Sequence, residues 1–351
     1  MTKIKDRKAE HIDICLNQAI TPGYNYWNDV KLIHDALPEV NLCDIDTSAY
    51  VLGKKLDFPF IVTAITGGFE GAKKINANIA KACSEMGIGM GIGSERATIE
   101  KADEESYTVI RDYDLPLVIG NVGAPQLIDQ SKKKKFTSED VGRAKDLIDA
   151  DFIAVHLNFL QEVIQPEGDT NAKGCYDAIR DLAREYPMIV KETGAGISRR
   201  TSKRLGGTGI RAIDVAGMGG TSFSAVEMYR AEASKNEIKT EMGYTYFDWG
   251  IPAPVSLLCA DANIPMIASG GINTGLDVAR SISMGAVCAG GANVILKEAM
   301  ESADAVKGVL TLIKEELRAA MLLTGSANIN ELSKSDHIVI GETRQWMDGL
   351  K

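Results

Sequence analysis

The sequence predicts a single α/β domain folded as a closed parallel barrel of eight strand–helix units, the (β/α)8 or TIM barrel. The first observation is a series of eight short apolar runs, each bounded by Gly, Pro or Asp as buried strands are. The second is that each run is followed by a stretch with helical spacing, a repeat typical of a closed barrel. The third is a length of 351 residues with no linker-like shift in composition. We therefore expect one barrel domain over residues 1–351.

The eight predicted strands end mostly in Gly, Thr, Asn or Lys instead of further aliphatic residues. They read PFIVTAIT (59–66), GIGMGIG (87–93), LPLVIGNVG (115–123), DFIAVHLN (151–158), MIVKETG (188–194), AIDVAG (212–217), PMIASGG (265–271) and GAVCAGG (285–291). Barrels carry their active sites at the carboxyl ends of the strands, so these polar ends should meet at one mouth. The residues expected there are Thr66, Ser94, Asn121, His156, Asn158, Lys191 and Thr221.

Three segments lie outside the repeat. Residues 1 to about 55 precede the barrel, and residues 300–351 read as a helical C-terminal tail. The stretch AEASKNEIKTEMGYTYFDWG (231–250) is a long insert after the sixth strand, placed to act as a lid over the mouth.

Composition excludes several classes of protein. A formal net charge of −9 argues against a general nucleic-acid binder, which presents a basic face to phosphate. The N-terminal stretch is charged throughout, and no apolar run approaches the roughly 18 residues of a membrane span. The six cysteines show no CxxC pair and no close Cys/His spacing. We expect a soluble cytoplasmic protein with neither nucleic acid nor a membrane as partner.

Two motifs could suggest binding of a nucleic acid or a dinucleotide, but neither interpretation is favoured. The basic run SKKKKF, with Lys132 to Lys135, lies between a strand and a capped helix start at TSED, so we interpret it as a solvated loop. The alternating glycines of GIGMGIGS (87–94) lack the spacing of a dinucleotide-binding unit, and they suit a tight barrel interior.

The last two strands each end in Gly-Gly before a helix start. Gly270, Gly271, Gly290 and Gly291 are therefore candidates for a phosphate cradle, in which backbone N–H groups and a helix N-terminus face an anion. The alternative is that these glycines only make tight turns. Barrels commonly hold phosphate at these two strands, which favours the cradle.

Lys191 closes the apolar strand MIVKETG. A buried lysine is costly without a partner, so it should face a ligand anion or a nearby acid. A Schiff base, stabilisation of the negative edge of a reduced flavin, and a structural ion pair all remain open. Glu192 should point the other way, because side chains alternate along a strand.

The stretch FIAVHLNFLQE (152–162) ends an apolar strand in four polar groups. His156 and Asn158 share one strand face, while Gln161 and Glu162 begin the loop over the mouth. One carboxylate suffices for Mg²⁺ when water and substrate phosphate complete its shell. Near the N-terminus, Arg7, Lys8 and His11 can share a helix face as a basic clamp, joined by Arg96. Taken alone, such residues are more often surface charges.

Taken together, these motifs resemble the type 2 isopentenyl-diphosphate isomerase family almost end to end. The matching motifs are RKAEH (7–11), TAITGG (63–68), GIGSER (91–96), HLNFLQE (156–162), VKETGAGIS (190–198), DVAGMGGTSF (214–223), FDWGIPAP (247–254), ASGGINTGLD (268–277) and GETRQW (341–346). The order of RKxxH, GSER and HLNxLQE is the most specific part.

The resemblance implies an isomerase of isoprenoid biosynthesis that binds FMN, requires Mg²⁺ and interconverts isopentenyl and dimethylallyl diphosphate. It also implies NADPH as reductant and a homo-oligomer, a tetramer or octamer. The implied cofactor contacts are Ala64, Ile65, Thr66, Ser94, Asn121, Lys191 and Thr221, with Gly271, Asn273, Gly291 and Ala292 at the FMN phosphate. The implied substrate contacts are Arg7, Lys8, His11, Ser94, Arg96, His156, Asn158 and Gln161. Glu162 would reach Mg²⁺, and the implied catalytic residues are Gln161, Lys191 and His156.

This chain departs from the family pattern at Ile65, Phe159 and Asn273, where Met, Pro and a basic residue are common. Because Asn273 carries no positive charge, the binding of the FMN phosphate would depend more on backbone N–H groups. The alternative function is an FMN-dependent oxidoreductase of the 2-hydroxy-acid or nucleotide dehydrogenase kind. Such enzymes need a His base near an Arg clamp, or a loop cysteine, and neither is evident in ASGGINTG or DVAGMGGTSF.

Overall fold

The computed structural model describes residues 2–99, 103–131 and 133–350, and its centre is a closed barrel of eight parallel strands. Before the barrel come helix α1 (Thr2–Asn17), strand β1 (Val30–Leu32) and a hairpin of β2 (Ala49–Val51) and β3 (Lys54–Leu56). The barrel strands are β4 (Phe60–Val62), β5 (Gly89–Gly91), β6 (Val118–Gly123), β7 (Phe152–Leu157), β8 (Met188–Glu192), β9 (Ala212–Asp214), β10 (Met266–Ser269) and β11 (Cys288–Gly291). The predicted fold class is confirmed, and each strand lies inside its predicted run.

The amino-terminal end of the barrel is closed by the β2–β3 hairpin. Val51 and Leu56 are fully buried and pack with the inward-facing residues Ile61, Ile119 and Ile189. Branched apolar side chains fill the interior of such barrels, which makes it a packed core instead of a pore. The described residues thus close this end of the barrel and leave the carboxyl ends of the strands as the place for a ligand.

Helices cover the outside of the barrel. They are α2 (Ala72–Met86), α3 (Arg96–Ile99), α4 (Glu105–Thr108), α5 (Ser138–Leu147), α6 (Phe159–Ile164), α7 (Cys175–Leu182), α8 (Arg199–Gly206), α9 (Phe223–Ala233), α10 (Glu237–Thr245), α11 (Ala253–Leu258), α12 (Gly275–Ser283) and α13 (Asn293–Glu301). The TSED motif starts α5 as predicted, because Thr137 and Asp140 cap each other's backbone N–H groups. None of the described helices is both long and apolar enough to cross a membrane.

The C-terminal tail consists of α14 (Ala303–Leu323), α15 (Ile329–Leu332), strand β12 (His337–Val339) and α16 (Gly341–Gly349). Helix α14 packs against α2 and α12. Strand β12 pairs antiparallel with β1, with Val30 opposite Val339, so the tail is not helical throughout. Strands β1 and β12, which are distant in the sequence, form each other's backbone hydrogen bonds in this way.

The insert after the sixth strand forms the end of α9 and all of α10. Helix α10 packs against α9 and α6, and no residue between 231 and 250 lines the main cavity at the mouth. The N-terminal helix occupies that place, since Arg7, Lys8, His11, Ile12 and Cys15 border the cavity. The segment over the mouth is therefore α1. Helix α10 of the insert packs on α9, and α9 in turn contacts α1.

Candidate active site

One cavity of about 390 Å³ lies at the carboxyl ends of the barrel strands, within the size range of small-molecule sites. It brings together every residue predicted above for substrate, cofactor or metal. These are Arg7, Lys8, His11, Ala64, Ile65, Thr66, Ser94, Arg96, Asn121, His156, Asn158, Gln161, Glu162, Lys191, Thr221, Gly271, Asn273, Gly291 and Ala292. Their individual roles stay predictions, but their convergence is a property of the fold.

The turn after β10 has a shape that only glycine can adopt. Gly270 has φ +93°, and a Cβ there would lie 2.0 Å from the backbone oxygen of Gly217. Gly271 has φ +75°, and its Cβ would lie 2.7 Å from the oxygen of Gly219. Both positions therefore combine a left-handed backbone with close backbone contact, which leaves room for a ligand to approach the main chain.

Helix α13 offers an anion site immediately after β11. Its N-cap residue is Ala292, which has no side chain to accept from the first N–H groups of the helix. Uncapped N–H groups and the helix dipole attract phosphate. Ala292, Asn293 and Val294 all line the cavity. The backbone around Ala292 therefore fits the phosphate of a nucleotide cofactor.

Helix α12 differs, because it satisfies its own N-terminus. Thr274 and Asp277 form a capping box, and the Asp277 carboxylate also accepts from the Asn273 N–H at 3.2 Å. The Asn273 side chain donates to the Gly271 oxygen at 3.1 Å. Both donor groups of Asn273 thus already have partners, and α13 is the better placed helix for phosphate.

Lys191 lies at the base of the cavity, beside two strands that carry acid or base groups. It stands in register with His156 on β7 and Asp214 on β9. Its Nζ donates to the backbone carbonyl oxygen of Glu192 at 2.6 Å. Asp214 is buried and accepts from the Ser269 hydroxyl. Burial raises the pKa of Asp214, while the Lys191 charge opposes that rise. A cation held among these groups suits the negatively charged edge of a flavin.

Glu192 points away from the main cavity, as strand alternation predicts. Its carboxylate accepts from the backbone N–H groups of Thr193 and Gly194, at 2.6 and 2.7 Å, and from Ala195. Burial raises the pKa of Glu192 to about 7, although these donors and Lys191 pull it down. Its role is to fix the loop after β8.

His156 has a defined tautomer. Its Nδ1 lies 2.8 Å from Oδ1 of Asn121, and the Asn121 amide is oriented by its own donation to the Ile92 oxygen at 3.2 Å. Because Oδ1 only accepts, Nδ1 carries the proton and Nε2 carries the lone pair. Burial, together with the charges of Lys191 and Lys8, lowers the pKa of His156 to about 3. The ring is therefore neutral at physiological pH.

A chain of amides and carboxylates runs from β7 into α6 and α9. Asn158 donates to Oε1 of Glu162 at 3.0 Å and to Oε1 of Gln161 at 3.2 Å. Gln161 in turn donates to Glu227 at 2.8 Å. Glu227 is fully buried, and although burial opposes it, the partners His11, Arg230 and Gln161 lower its pKa to about 2.

Sequence reasoning missed Glu227. It sits inside α9 with small and apolar neighbours, and nothing in the local pattern separates it from a solvent-facing glutamate. Arg230 pairs with it on the same helix, but its partners Gln161 and His11 lie 66 and 216 residues away along the chain. Only the packing of α1 and α6 on α9 shows that it orients the Gln161 amide.

Glu162 is buried at the edge of the cavity, and its surroundings fit a hydrated divalent cation. Burial raises its pKa, while the Asp169 N–H at 2.6 Å and Asn158 oppose the rise. The neighbouring Oδ1 of Asn158 is buried and has no hydrogen-bond partner among the residues that the structure describes. No cluster of three or more His, Cys, Asp or Glu groups suited to a metal occurs in the described chain. Mg²⁺ would therefore need phosphate oxygens and water besides these two groups.

The predicted clamp on α1 is largely engaged with the protein itself. Lys8 donates to the backbone oxygens of Gly67 and Ser94 and to the hydroxyl of Tyr107. Burial and the adjacent Arg7 charge lower the pKa of Lys8 to about 7. His11 lies 2.9 Å from Glu227. These contacts tie α1 across the mouth.

The basic run lies in an exposed loop, as expected. Lys133, Lys134 and Lys135 are exposed, and Lys132 lies outside the described residues. Lys133 also pairs at 2.8 Å with Asp169, which is buried. Asp169 accepts in addition from Arg96 at 3.0 Å. The sequence did not predict the pair with Asp169, because spacing along the chain does not show that the loop lies beside the segment after α6.

A closed barrel with a glycine turn and an uncapped helix after its last two strands belongs to the class of (β/α)8 barrels that hold a phosphate-bearing ligand at these strands. The family model of FMN-dependent dehydrogenases matches residues 250–339, which contain both of these features. This match supports the predicted FMN cofactor.

Curated relatives extend over nearly the whole chain. The isopentenyl-diphosphate delta-isomerase of Thermoplasma acidophilum is 46% identical over 346 residues, covering 98% of this chain and 99% of the relative. Those of Picrophilus torridus and Archaeoglobus fulgidus are 42% and 43% identical, covering 99% and 97% of this chain and 100% and 98% of the relatives. The chain therefore belongs to the isopentenyl-diphosphate delta-isomerase family. The predicted enzyme class, an isomerase, is confirmed.

Solved structures share the fold at low sequence identity. Mandelate oxidase superposes with a TM-score of 0.62 at 18% identity, covering 96% of this chain and 98% of the other. A flavocytochrome b2 variant with sulfite bound gives a TM-score of 0.62 at 16% identity, covering 92% and 81%. At these identities the likeness concerns the barrel alone.

Proposed function

We propose that the chain interconverts isopentenyl diphosphate and dimethylallyl diphosphate, with FMN kept reduced and Mg²⁺ required. The observation that carries this proposal is the single cavity in which Lys191 and the phosphate-binding turns meet His156 and Glu162. The oxidoreductase alternative would use a His base, but it has no need of a carboxylate such as Glu162 placed to hold Mg²⁺. The family membership supports the same substrate.

The diphosphate is proposed to lie between α1 and the end of β7. Arg7 and Arg96 supply charge-assisted donors there, while Asn158 and Gln161 supply amides. Glu162 would hold Mg²⁺ there, and the cation would supply positive charge to the diphosphate. Binding energy from this remote end positions the five-carbon chain in the interior of the cavity.

FMN is proposed to lie along β4, β5, β6 and β8, with its phosphate at Gly271, Gly291 and the start of α13. Lys191 would stabilise the negative charge of the reduced flavin, and Asn121 and Thr66, which line the same cavity, would contact it. When bound and reduced, FMN supplies an electron-rich ring that stabilises positive charge on an alkene and exchanges protons with it.

The chain's own residues orient the reacting carbons and keep water out. Moving a double bond by one carbon requires a proton on one carbon and removal of another from the allylic carbon. Gln161 is held by Glu227, so its amide has one orientation towards the cavity. Helix α1 covers the mouth through Lys8 and His11, which excludes water from a positively charged substrate carbon.

Three finer points complete the proposal. NADPH is the reductant for FMN, the protein acts in the cytoplasm, and it assembles as a homo-oligomer, a tetramer or octamer. The test incubates purified protein with isopentenyl diphosphate, FMN, Mg²⁺ and NADPH and follows the appearance of dimethylallyl diphosphate. Omitting Mg²⁺ or the reductant should each abolish turnover. Formation of no isomer, with turnover of a 2-hydroxy acid instead, would favour the oxidoreductase alternative.

A further inference from the structure

Asp169 is a buried carboxylate that joins two residues of the diphosphate site. Its Oδ2 accepts from Nη1 of Arg96 at 3.0 Å, and its Oδ1 accepts from Nζ of Lys133 at 2.8 Å. Its backbone N–H donates to Oε2 of Glu162 at 2.6 Å. One residue therefore touches the proposed anion-binding arginine, the proposed metal ligand and the basic loop.

The loop that carries Asp169 is fixed on Glu162 by backbone contact. A Cβ on Gly168 would lie only 1.8 Å from the backbone oxygen of Glu162, so the chain must pass this point as glycine. The Gly168 N–H donates to the Gln165 oxygen at 3.1 Å, which closes the turn. Asp169 is thus placed by main-chain packing, and its carboxylate has little freedom to follow a moving partner.

Asp169 is one of the groups that orient Arg96. Its side chain is only 9% exposed, and a guanidinium in such a place needs fixed acceptors to present its planar edge. Lys133, whose side chain is 42% exposed, approaches Asp169 from the solvent side. Arg96 lines the cavity and Lys133 does not. The Asp169 carboxylate therefore lies between the Arg96 guanidinium on the cavity side and the Lys133 ammonium on the solvent side.

We propose that Asp169 is a positioning residue that holds Arg96 beside Glu162 so that both meet the same diphosphate, with Lys133 fixing the carboxylate from outside. This inference rests on the proposed function and deepens it. It also gives the basic run a role, since one of its lysines supports the site without touching the substrate.

The first test is Asp169→Asn in the FMN-loaded protein, with inorganic diphosphate and Mg²⁺ titrated by calorimetry. Asparagine keeps the backbone donor to Glu162 but removes the charge and places an N–H₂ group near two cations. We expect the diphosphate affinity to fall roughly 10- to 100-fold. For turnover, KM should rise similarly, while kcat changes less than about threefold. FMN content should match the wild-type protein.

A double-mutant cycle separates positioning from general loosening. If Asp169 acts through Arg96, Asp169→Asn should weaken diphosphate binding strongly in the wild-type protein and less than about twofold in an Arg96→Met background. Equal losses in the two backgrounds would overturn the inference. The matched control is Asp151→Asn, since Asp151 pairs with Lys54 at 2.6 Å on the far end of the barrel. It should leave diphosphate affinity unchanged.

Lys133→Met decides the case if Asp169→Asn does not fold, because it removes only the outer partner. It should weaken diphosphate binding about two- to fivefold, in line with loss of one half-exposed ion pair. An unchanged affinity would count against the proposal. A wild-type protein that binds no diphosphate overturns the proposed function and this inference together, whereas binding that Asp169→Asn leaves intact overturns the inference alone.

Discussion

His156 donates from Nδ1 to Oδ1 of Asn121 over 2.8 Å, and this bond leaves Nε2 as a lone-pair acceptor in the active-site cavity. Burial and the positive charges of Lys191 and Lys8 keep the ring neutral, with a pKa of about 3. A neutral acceptor cannot donate to a phosphate oxygen. The residue is therefore in the wrong protonation state for the anion it is proposed to bind.

Diphosphate binding should accordingly take up a proton. An anion beside His156 favours the imidazolium form, which can donate from Nε2. We expect uptake of a fraction of a proton when inorganic diphosphate binds at pH 8, and a larger fraction at pH 7. Calorimetry in buffers of different ionisation enthalpy measures it. His156→Gln should bind with less uptake, and the same uptake in that variant would place the proton elsewhere.

The same histidine should make folding sensitive to acid. Its pKa falls from an ordinary 6.5 to about 3 in the folded protein, so the unfolded chain binds the proton more readily. Stability from the neutral ring is fully present above pH 6.5 and is lost as pH falls towards 3. Between pH 7.5 and 5, the wild-type protein should lose on the order of 2 kcal/mol more than His156→Gln. Denaturant unfolding at both pH values gives the comparison, and parallel losses would contradict it.

Glu162→Gln should weaken Mg²⁺ activation much more than FMN retention. Glutamine keeps an oxygen for the Asp169 N–H but loses the negative charge that a divalent cation needs. The half-saturating Mg²⁺ concentration should rise roughly 10-fold or more, with FMN content within about twofold of the wild-type protein. Glu85→Gln, which only breaks a surface pair with Lys307, is the control. Equal loss of Mg²⁺ response and FMN would remove Glu162 from the metal site.

Gly270→Ala should lower both stability and FMN retention. Gly285 has nearly the same left-handed φ, +96° against +93°, but a Cβ there meets no atom within 4 Å. Gly285→Ala therefore reports the backbone strain alone, about 1 to 2 kcal/mol, with FMN retained. Gly270→Ala adds a clash with the Gly217 oxygen and should cost more. Thermal unfolding and the flavin absorbance of purified protein measure the two effects; indistinguishable variants would rule out a tight turn at Gly270.

The barrel and the gathering of its polar strand ends were predictable because both follow from local patterns. An apolar run followed by helical spacing specifies a strand–helix unit, and eight such units leave few arrangements other than a closed barrel. The carboxyl ends of parallel strands then share one rim, so Lys191 and His156 must come close. The strand β12 was not predicted, because three residues carry too weak a pattern and their partner β1 is some 300 residues away.

The sequence by itself determined the barrel and the polar strand ends at its mouth, since periodicity and strand-end chemistry are local properties. The resemblance of its motifs to a known family supplied the class of chemistry and the other predicted site residues. Only the tertiary structure decided which groups already have partners. Lys8 donates to three protein oxygens, Asn273 has both donors engaged, Glu227 accepts from the Gln161 amide, and Asp169 accepts from Arg96. Hydrogen bonds and ion pairs of this kind depend on distances between segments far apart in the chain, and a linear pattern contains no such distances.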